Sequence, residues 1–482
     1  MIKCHNISFL FFLFSIGVYA QNWTTPVNVS NTTGINVSPG LAIDSNNLYH
    51  IVWSHKVSPV YWIILHTQSN DGGSTWSEAD TVLNIPNAWL YETHMVCNTN
   101  NQLVVSFDSI SWGGTYTQVY AMIFNGISWS PPVKLSSNNN AKGNKLIADH
   151  AGRVYCFWHE LYNGNTKFMY RVYENEQWGE TVIPYSDTNV YVLENLDVDT
   201  DNNLHGIGYF NYQNQTSDDM ATTYFLYEKF NNQWALPYFV SYATPFQGCD
   251  IVSDNLLLPQ TVISAYISQV PIDYVTMHRK EWFLGWEPID TVSVHKEEYY
   301  PLIEINSDNS PDYIITELIT NSNLLLKDYY KIDDNFIIEL IDSNGSILFS
   351  NIQKYNSEFK LVYGKLPLNS VFDNNIFYTT KSLNVSRKGA DPSILTKIFP
   401  NPCEKELNIS LYMESSCKCS IRLVDISGKI ILHEERVNLD QGNNLIKLNL
   451  NRINNNFSPS KSSYLVIQSE KFKLIKPILI LN

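Results

Sequence analysis

The chain has 482 residues, of which 44% are hydrophobic and 16% are charged, an ordinary composition for a soluble globular protein with a large core. The net charge of −15 leaves no basic stripe, which argues against nucleic acid as a partner. Val, Ile, Tyr, Phe and Trp alternate with polar residues along most of the chain while helix-period stretches are scarce, a pattern that predicts an all-β protein.

The first 20 residues have the form of a secretory signal peptide. Lys3 supplies the positive start, residues 7–18 form the apolar core, and Val18-Tyr19-Ala20 is the small-residue cleavage site. The apolar run is too short for a stable transmembrane helix, and no other segment is a membrane candidate. We therefore expect a mature chain that begins near Gln21 and is not an integral membrane protein.

After this segment, tryptophan recurs about every 50 residues. The series is Trp23, Trp76, Trp129, Trp178, Trp234 and Trp286, and Phe336 continues it. A fixed period of this length means that one supersecondary unit is used repeatedly. Each unit holds three short alternating strands, a turn-like stretch and then the aromatic residue. Four strands per unit, with the aromatic near the last, is the pattern of a β-propeller blade.

The units also share a hairpin that opens with Asp-x-x-Asn or Asp-x-x-Gly and continues as a mostly apolar strand. The copies span residues 44–53, 149–158 and 199–208, with weaker copies at 98–107 and 308–317. Asp, Asn and Gly suit this turn because they tolerate the backbone conformations of a tight hairpin. The apolar residues that follow are expected to pack between adjacent blades.

The blade count depends on both ends of the repeat region. Five complete units end at the successive tryptophans Trp76, Trp129, Trp178, Trp234 and Trp286. A sixth unit ends near Phe336, and residues 344–385 hold about three more strands. Residues 23–31 resemble an outer strand without a blade of its own. We therefore predict seven blades in residues 21–385, the N-terminal strand completing the last so that no sheet edge stays open. Six blades is the alternative.

One turn carries a complete Asp-box, the S-x-D-x-G-x-T-W motif of sialidase-like propellers. The resemblance to these propellers covers residues 21–385. The defining residues are Ser69, Asp71, Gly73, Thr75 and Trp76. In these propellers the box lies on the face opposite the active site, so the resemblance implies a structural role. The carboxylate is expected to cap backbone N–H groups, the glycine to allow positive φ, and the tryptophan to pack inward.

Sialidases clamp the substrate carboxylate with three arginines, because a guanidinium fork binds a carboxylate in a bidentate way. The propeller region here contains only Arg153, Arg171 and Arg279. No arginine precedes Arg153, and that residue falls in a hairpin turn away from the expected site. The sequence therefore predicts a sialidase-like fold without sialidase activity.

The C-terminal region resembles a different family, the C-terminal sorting domain of the Bacteroidetes type IX secretion system. The matching segments are Phe399-Pro400-Asn401-Pro402, residues 424–429, residues 439–444, residues 464–468 and residues 476–480. We expect a small β-sandwich over residues 398–482, joined to the propeller by a polar linker at 386–397. The resemblance implies passage through the periplasm, interaction with the secretion machinery, and a secreted or cell-surface product.

Ligands of propellers usually bind on the face where each inner strand begins and each second strand ends. On this face of the predicted propeller, the candidate ligand-binding residues are His55, Glu92, Lys145, His159, Glu194 and Tyr300. The same face also presents Asp108 and Asn144. His94 and Glu160 are the predicted acid/base pair, from neighbouring blades and roughly 5 to 10 Å apart. No ligand spacing in the sequence supports a metal site, and we predict no metal and no cofactor.

These features predict an exported glycan-recognition propeller. The first alternative is a polysaccharide lyase or glycoside hydrolase that uses the His- and Glu-bearing face. For a lyase, His94 or Tyr300 is the candidate base, and Lys145 or Arg171 the candidate neutraliser of a uronate carboxylate. The second alternative is a propeller for adhesion or protein interaction.

Overall fold

The computed structural model describes two all-β parts of the chain, residues 23–382 and 396–480. Within them it leaves out residues 112–113, 115, 138–139, 212–220, 230, 242–245, 255–256, 270–271, 283–284, 287–289, 296–297, 307–309, 321–322, 333–334, 356–357, 368–373, 400–405, 414–415, 426–429, 451–460 and 470–472. The predicted signal peptide at 1–20 and most of the predicted linker lie outside the described residues.

The first part is a seven-bladed β-propeller, and a short strand, β1 (Val27–Asn28), precedes the first complete blade. The strands of blades 1 to 3 are β2 (Ile35–Ile43), β3 (Tyr49–Ser58), β4 (Tyr61–Ser69), β5 (Asp80–Asn84), β6 (Ala88–Cys97), β7 (Leu103–Ser111), β8 (Gln118–Phe124), β9 (Val133–Lys134), β10 (Lys142–Ala148), β11 (Val154–Tyr162), β12 (Asn165–Glu174) and β13 (Gln177–Trp178). Each blade is an antiparallel meander with its first strand innermost.

Blades 4 to 7 continue the pattern. Their strands are β14 (Val190–Val198), β15 (Leu204–Asn211), β16 (Ala221–Glu228), β17 (Gln233–Trp234), β18 (Tyr238–Ser241), β19 (Phe246–Ser253), β20 (Pro259–Gln269), β21 (Ile272–Trp282), β22 (Gly285–Trp286), β23 (Asp290–His295), β24 (Glu298–Ile305), β25 (Pro311–Thr320), β26 (Asn323–Ile332), β27 (Asn335–Tyr355), β28 (Glu358–Pro367) and β29 (Asn375–Ser382). The long strand β27 pairs with β26 of blade 6 through its first half and with β28 of blade 7 through its second half.

The N-terminal strand closes the ring, as predicted. Val27 and Asn28 pair with Tyr378 and Phe377 of β29, so β1 is the outer strand of blade 7. Trp23 is buried, and its indole Nε1 donates to Asp328 Oδ2 of blade 6 at 2.9 Å. Because the first and last segments share one sheet, the propeller has no open edge at its closure point.

The core consists of apolar layers between adjacent blades. In blade 1, alternation in β3 sends Val52 toward blade 2, where it packs with Leu90, and sends Trp53 toward blade 7, where it packs with Tyr378. Similar clusters lie between each later pair of blades. The strands are therefore apolar on both faces, which explains their nearly continuous Val, Ile, Tyr and Phe content.

The hairpin turns between the first and second strands are held by carboxylates. Asp44 Oδ1 accepts from the backbone N–H groups of Asn46 and Leu48, both at 2.8 Å. Asp149 and Asp199 make the same pair of bonds two and four residues ahead in blades 3 and 4. These bonds satisfy amides that the tight turn leaves without strand partners.

The Asp-box turn joins β4 to β5. Asp71 accepts from Thr75 twice, from its backbone N–H at 2.9 Å and from its hydroxyl at 2.6 Å, and Ser69 Oγ donates to Asp71 at 2.7 Å. Gly73 has φ +89°, and the space where its Cβ would stand is filled by the Tyr378 ring. Trp76 packs edge-on against the same ring, with ring centroids 5.3 Å apart. These contacts are structural, and they attach the turn to blade 7.

The C-terminal part contains two small antiparallel sheets. One contains β30 (Thr396–Phe399), β31 (Glu406–Met413) and β34 (Gly442–Asn449), and the other contains β32 (Cys417–Asp425), β33 (Ile430–Leu439), β35 (Lys461–Ser469) and β36 (Lys473–Ile480). Leu407, Ile409 and Leu411 of the first sheet share one buried cluster with Ile421 and Leu465 of the second. Two sheets around one apolar core are the small sandwich that the alternation predicted.

Candidate functional site

The two ends of each blade are different surfaces. In blade 1, Tyr49 at the start of the second strand pairs with Ser69 of the Asp-box, whereas His55 near its end pairs with Ile63. The Asp-box and the hairpin turns therefore lie at one end of the blades, called here the turn end. The beginnings of the inner strands and the ends of the second strands lie at the other, called here the funnel end.

A bulge recurs in the inner strands near the funnel end. The register breaks between Val37 and Gly40 in blade 1, and between Tyr91 and His94 in blade 2. Similar breaks occur in blades 3 to 6. Backbone φ is +54° at Ser38, +49° at Glu92 and +68° at Gly143, within the bulges of blades 1 to 3. A bulge leaves residues outside the strand ladder and re-aims their side chains, so these positions are suited to present groups at the central opening.

Five of the predicted residues form one electrostatic unit, called here the funnel cluster: Glu92, His94, Lys145, His159 and Glu194. Four of them lie in or at the bulges of the inner strands, and His159 lies on β11. Burial, followed by the positive charge of Lys145, lowers the pKa of His94 to about 3 and that of His159 to about 4. Burial raises the pKa of Glu194, with Lys145 opposing the shift and Glu92 adding to it. The Lys145 ammonium thus acts on groups from blades 2, 3 and 4.

Gly143 forms the floor of a niche in this cluster. A Cβ built on it would stand 2.8 Å from His159 Nδ1 and 3.9 Å from Glu92 Oε2. His159 Nε2 accepts from the backbone N–H of Leu193 at 3.0 Å, so the imidazole is neutral and carries its proton on Nδ1, facing the niche. A glycine is required here by both the positive φ and the missing volume.

A buried network behind the niche holds Glu92 in place. Asn144 Nδ2 donates to Asp108 Oδ1 and to the Glu92 backbone oxygen, both at 2.7 Å, and Ser106 Oγ donates to Asn144 Oδ1. Asp108 Oδ2 accepts from the Gly143 backbone N–H at 2.8 Å. Burial and then the adjacent Glu92 carboxyl raise the pKa of Asp108 well above its usual range. The sequence places Asp108 and Asn144 on this face, but their role depends on contacts across two blades, which no motif records.

Glu160 lies elsewhere, contrary to the expected pairing with His94. Its side chain is 1% exposed, Oε2 accepts from Trp158 Nε1 at 2.7 Å, and Oε1 accepts from Ser137 Oγ at 3.3 Å. It shares the strand face of Trp158, which packs between blades 2 and 3. Successive residues of a strand point to opposite faces, so His159 is directed toward blade 4, where it bonds Leu193, while Glu160 is directed toward blade 2.

His55 and Tyr300 are the remaining predicted residues. His55 Nδ1 lies 2.9 Å from Asn36 Oδ1, a buried amide that also accepts from Trp53 Nε1, and burial lowers the pKa of His55. This network ties blade 1 to blade 7 through the Asn374 backbone oxygen. Tyr300 lies in the bulge of β24, and its side chain is outside the described part of the chain.

Three further carboxyl groups of the inner strands, not predicted from the sequence, belong to blades 4 to 6. Burial raises the pKa of Asp250 to about 7 and that of Glu304 to about 8, and it raises that of Asp197 as well. Asp250 Oδ2 accepts from the backbone N–H of Ile303 at 2.9 Å. Their signal in the sequence is weak, because single acidic residues in apolar strands have no motif.

The three arginines of the propeller lie away from the funnel cluster. Arg153 pairs with Asp149 in the hairpin turn, Arg171 donates to Thr181 Oγ1 at 3.0 Å, and Arg279 donates to the Val240 backbone oxygen. Among the residues that the structure describes, no three His, Cys, Asp or Glu side chains converge to hold a metal ion. No helix in the described ranges is long and apolar enough to cross a membrane.

Comparisons with known proteins agree with this architecture. Residues 397–456 match the family described as the secretion system C-terminal sorting domain. The structure of an ulvan lyase of polysaccharide lyase family PL25 is similar, with a TM-score of 0.55 and 12% identity over 76% of this chain and 100% of that chain. The structure of a PL25 ulvan lyase bound to -[GlcA(1-4)Rha3S]- is also similar, with a TM-score of 0.53 and 11% identity over 76% of this chain and 100% of that chain.

NanB sialidase from Streptococcus pneumoniae is similar at a TM-score of 0.40 and 12% identity, over 75% of this chain and 70% of that chain. No curated protein matches the sequence. At 11–12% identity the ulvan lyase structures establish the fold alone. The protein is thus a seven-bladed β-propeller. It carries a type IX sorting domain and is exported to the cell surface or the medium.

Proposed function

We propose that the funnel end binds an anionic glycan, with a sugar carboxylate or sulfate beside Lys145. The observation that carries this proposal is the geometry around the bulge of blade 3, where Gly143, two residues before Lys145, lies against His159 Nδ1 and near Glu92 Oε2. The effect of the Lys145 charge on the pKa values of groups from three consecutive blades supports it. His94 and His159 are neutral at physiological pH because their pKa values are about 3 and 4. One ammonium beside two neutral imidazoles suits a single bound anion and the hydroxyls around it.

Lys145→Ala tests this proposal against Lys134→Ala, which removes an exposed lysine from the outer strand of blade 2. The ligands are uronate-containing and sulfated polysaccharides on a glycan array, followed by calorimetry with polyglucuronate. Lys145→Ala should weaken binding at least tenfold, or about 1.4 kcal/mol. Lys134→Ala should leave it unchanged. Equal affinities of the two variants, or an array with no bound glycan, would contradict the proposal and favour a protein-interaction propeller.

A lyase is the second candidate, because a neutral imidazole lies beside the cation. In β-elimination a base removes the proton next to the uronate carboxylate, and that C–H electron pair becomes the new C=C bond. The C–O bond to the leaving sugar breaks, and its oxygen takes a proton from an acid. His94 is suited to be the base, and the adjacent carboxyl groups of Glu92 and Asp108 are suited to supply the proton, because burial keeps Asp108 protonated. The named activity of the similar ulvan lyase supports this candidate.

The lyase candidate is tested by the ultraviolet absorbance of the unsaturated product. His94→Asn should abolish product formation while glycan affinity changes less than threefold. New reducing ends without that absorbance would identify a hydrolase instead. Glycan binding with neither signal would leave a recognition module.

We also propose that residues 398–482 direct transport across the outer membrane as a separate unit. Their own apolar core supports independent folding. Deleting them should trap a folded propeller in the periplasm, detected by fractionation and protease resistance. Normal arrival of the truncated protein at the cell surface or in the medium would refute this.

A further inference from the structure

We infer that Trp89 is a second sugar-binding position, on the rim of the funnel between blades 1 and 2, and that it stacks on a pyranose ring of the same glycan chain. The inference rests on the proposed function, since it extends the bound chain outward from Lys145. It concerns the length of glycan that the protein recognises.

Trp89 is held in place while part of its ring remains exposed. Its side chain is 41% exposed, although its neighbours Ala88 and Leu90 are buried at 3% and 0%. The indole Nε1 donates to the Pro59 backbone oxygen at 3.0 Å, in the turn between β3 and β4 of blade 1. Because the polar edge is already bonded, the exposed remainder is apolar ring. A rigid aromatic surface of this kind suits the apolar face of a sugar.

The adjoining hairpin of blade 1 adds apolar surface and a cation. Val57 is 50% exposed, and Lys56 Nζ lies 5.9 Å from the centroid of the Trp62 ring. Trp62 packs against the apolar cluster between blades 1 and 2, so the hairpin and Trp89 belong to the same part of the rim. The Lys56 ammonium favours a ring with an anionic substituent over a neutral one.

The rim position and the funnel cluster lie on one strand. Trp89 precedes Glu92 by three residues of β6, a separation of roughly 10 Å at the usual rise per residue. An extended oligosaccharide covers that distance with a few rings. A longer chain anchored at Lys145 can therefore extend past Glu92 to Trp89, and we expect a disaccharide seated beside Lys145 to make less use of this position.

Size-defined oligoglucuronates of two and eight residues test the inference by calorimetry on the full chain. Trp89→Ala should weaken binding of the octamer about tenfold and leave the affinity for the dimer unchanged. Trp89→Phe, which keeps a ring but removes the bond to Pro59, should retain most of the octamer affinity. Lys145→Ala should weaken the binding of both the dimer and the octamer. Thermal melting of each variant checks that the propeller remains folded.

The outcomes separate the two proposals. If Trp89→Ala lost equal affinity for the dimer and the octamer, or lost none for either, the proposed sugar-binding role of Trp89 would be overturned. The proposal for the funnel end would not be affected. Equal losses in Trp89→Phe and Trp89→Ala would show that the Pro59 bond, not stacking, matters, and would also overturn it. Failure of the unmodified protein to bind either ligand would overturn the proposed function together with this inference.

Discussion

The two ends of the propeller use the same residue types in opposite ways. At the turn end, Asp44, Asp149 and Asp199 stand at equivalent positions and make the same backbone bonds. At the funnel end, equivalent bulge positions carry different residues, Ser38 in blade 1 and Glu92 in blade 2. Polar residues that repeat from blade to blade stabilise the blade. Polar residues that appear once, on a bulge, are the candidates for function.

The carboxyl pKa values show the same division. Burial opposes ionisation of Asp44 and Asp199, yet bonds from backbone and side-chain donors lower the pKa of both. Burial also dominates at Asp108 and Glu194, where it raises the pKa. The lowered pKa values belong to carboxylates that recur in the hairpin turns, whereas the raised ones lie in or beside the funnel cluster, where they are candidates for binding or proton transfer.

The largest expected effect is at the turn end. Asp149→Ala removes the acceptor of two backbone bonds and the partner of the buried Arg153 guanidinium. An uncompensated buried charge should lower the free energy of unfolding by about 3–5 kcal/mol, measured by urea denaturation. Asp201→Ala, in the exposed part of the blade 4 turn, is the control and should change it by less than about 0.5 kcal/mol. Similar changes in the free energy of unfolding for the two variants would contradict a structural role for the repeated carboxylates.

The next effect concerns buried histidines. His66 stacks on His50 near the turn end, and burial followed by the charge of His50 lowers the pKa of His66 to about 4. Between about pH 6.5 and pH 4 the unfolded chain binds a proton that folded His66 does not, so stability is complete above this window and falls as the pH falls through it. The loss due to His66 should be roughly 3 kcal/mol.

Urea unfolding at several pH values measures this loss. His66→Gln should reduce the slope of the profile, because glutamine does not titrate, while His50, His55, His94 and His159 maintain the remaining pH dependence. His150→Gln, at an exposed position of the turn end, should not. A profile that His66→Gln leaves unchanged would contradict the prediction.

Gly143→Ala should affect both stability and binding. The positive φ costs an alanine about 1–2 kcal/mol, and its Cβ would stand 2.8 Å from His159 Nδ1. Gly126→Ala is the matched control, because that glycine has φ +89° and nothing within 4 Å of the Cβ position. Both variants should lose stability, but only Gly143→Ala should lose glycan affinity. Equal binding by both would mean that the niche is not part of the site.

The smallest expected effect is at Glu194. Glu194→Gln removes a carboxyl that interacts with Lys145 and leaves a neutral group of the same size. Affinity for an anionic glycan should rise about threefold at neutral pH, because less negative charge faces the ligand. The exposed Glu180 supplies the control Glu180→Gln. A fall in affinity would indicate that Glu194 itself hydrogen-bonds the sugar.

Local contacts explain which parts of the fold the sequence predicted. The hairpin turns and the Asp-box are built from bonds between residues two to four apart, so their residue types are visible as short motifs. One such prediction was misplaced. The turn of blade 6 uses Asn306, whose backbone bonds to Ser310, whereas Asp308 lies outside the described residues.

What the sequence by itself determined is the repeated unit, the all-β class, the closing strand and the sorting domain, because each is written in local patterns or in a period. Tertiary structure alone decided that one strand, β27, serves two blades, that Glu160 is buried beside Trp158, and that Asp108 and Asn144 support Glu92. Those outcomes depend on strand register and on contacts between blades. A one-residue bulge changes which side chains face the central opening, and no periodicity in the chain records it.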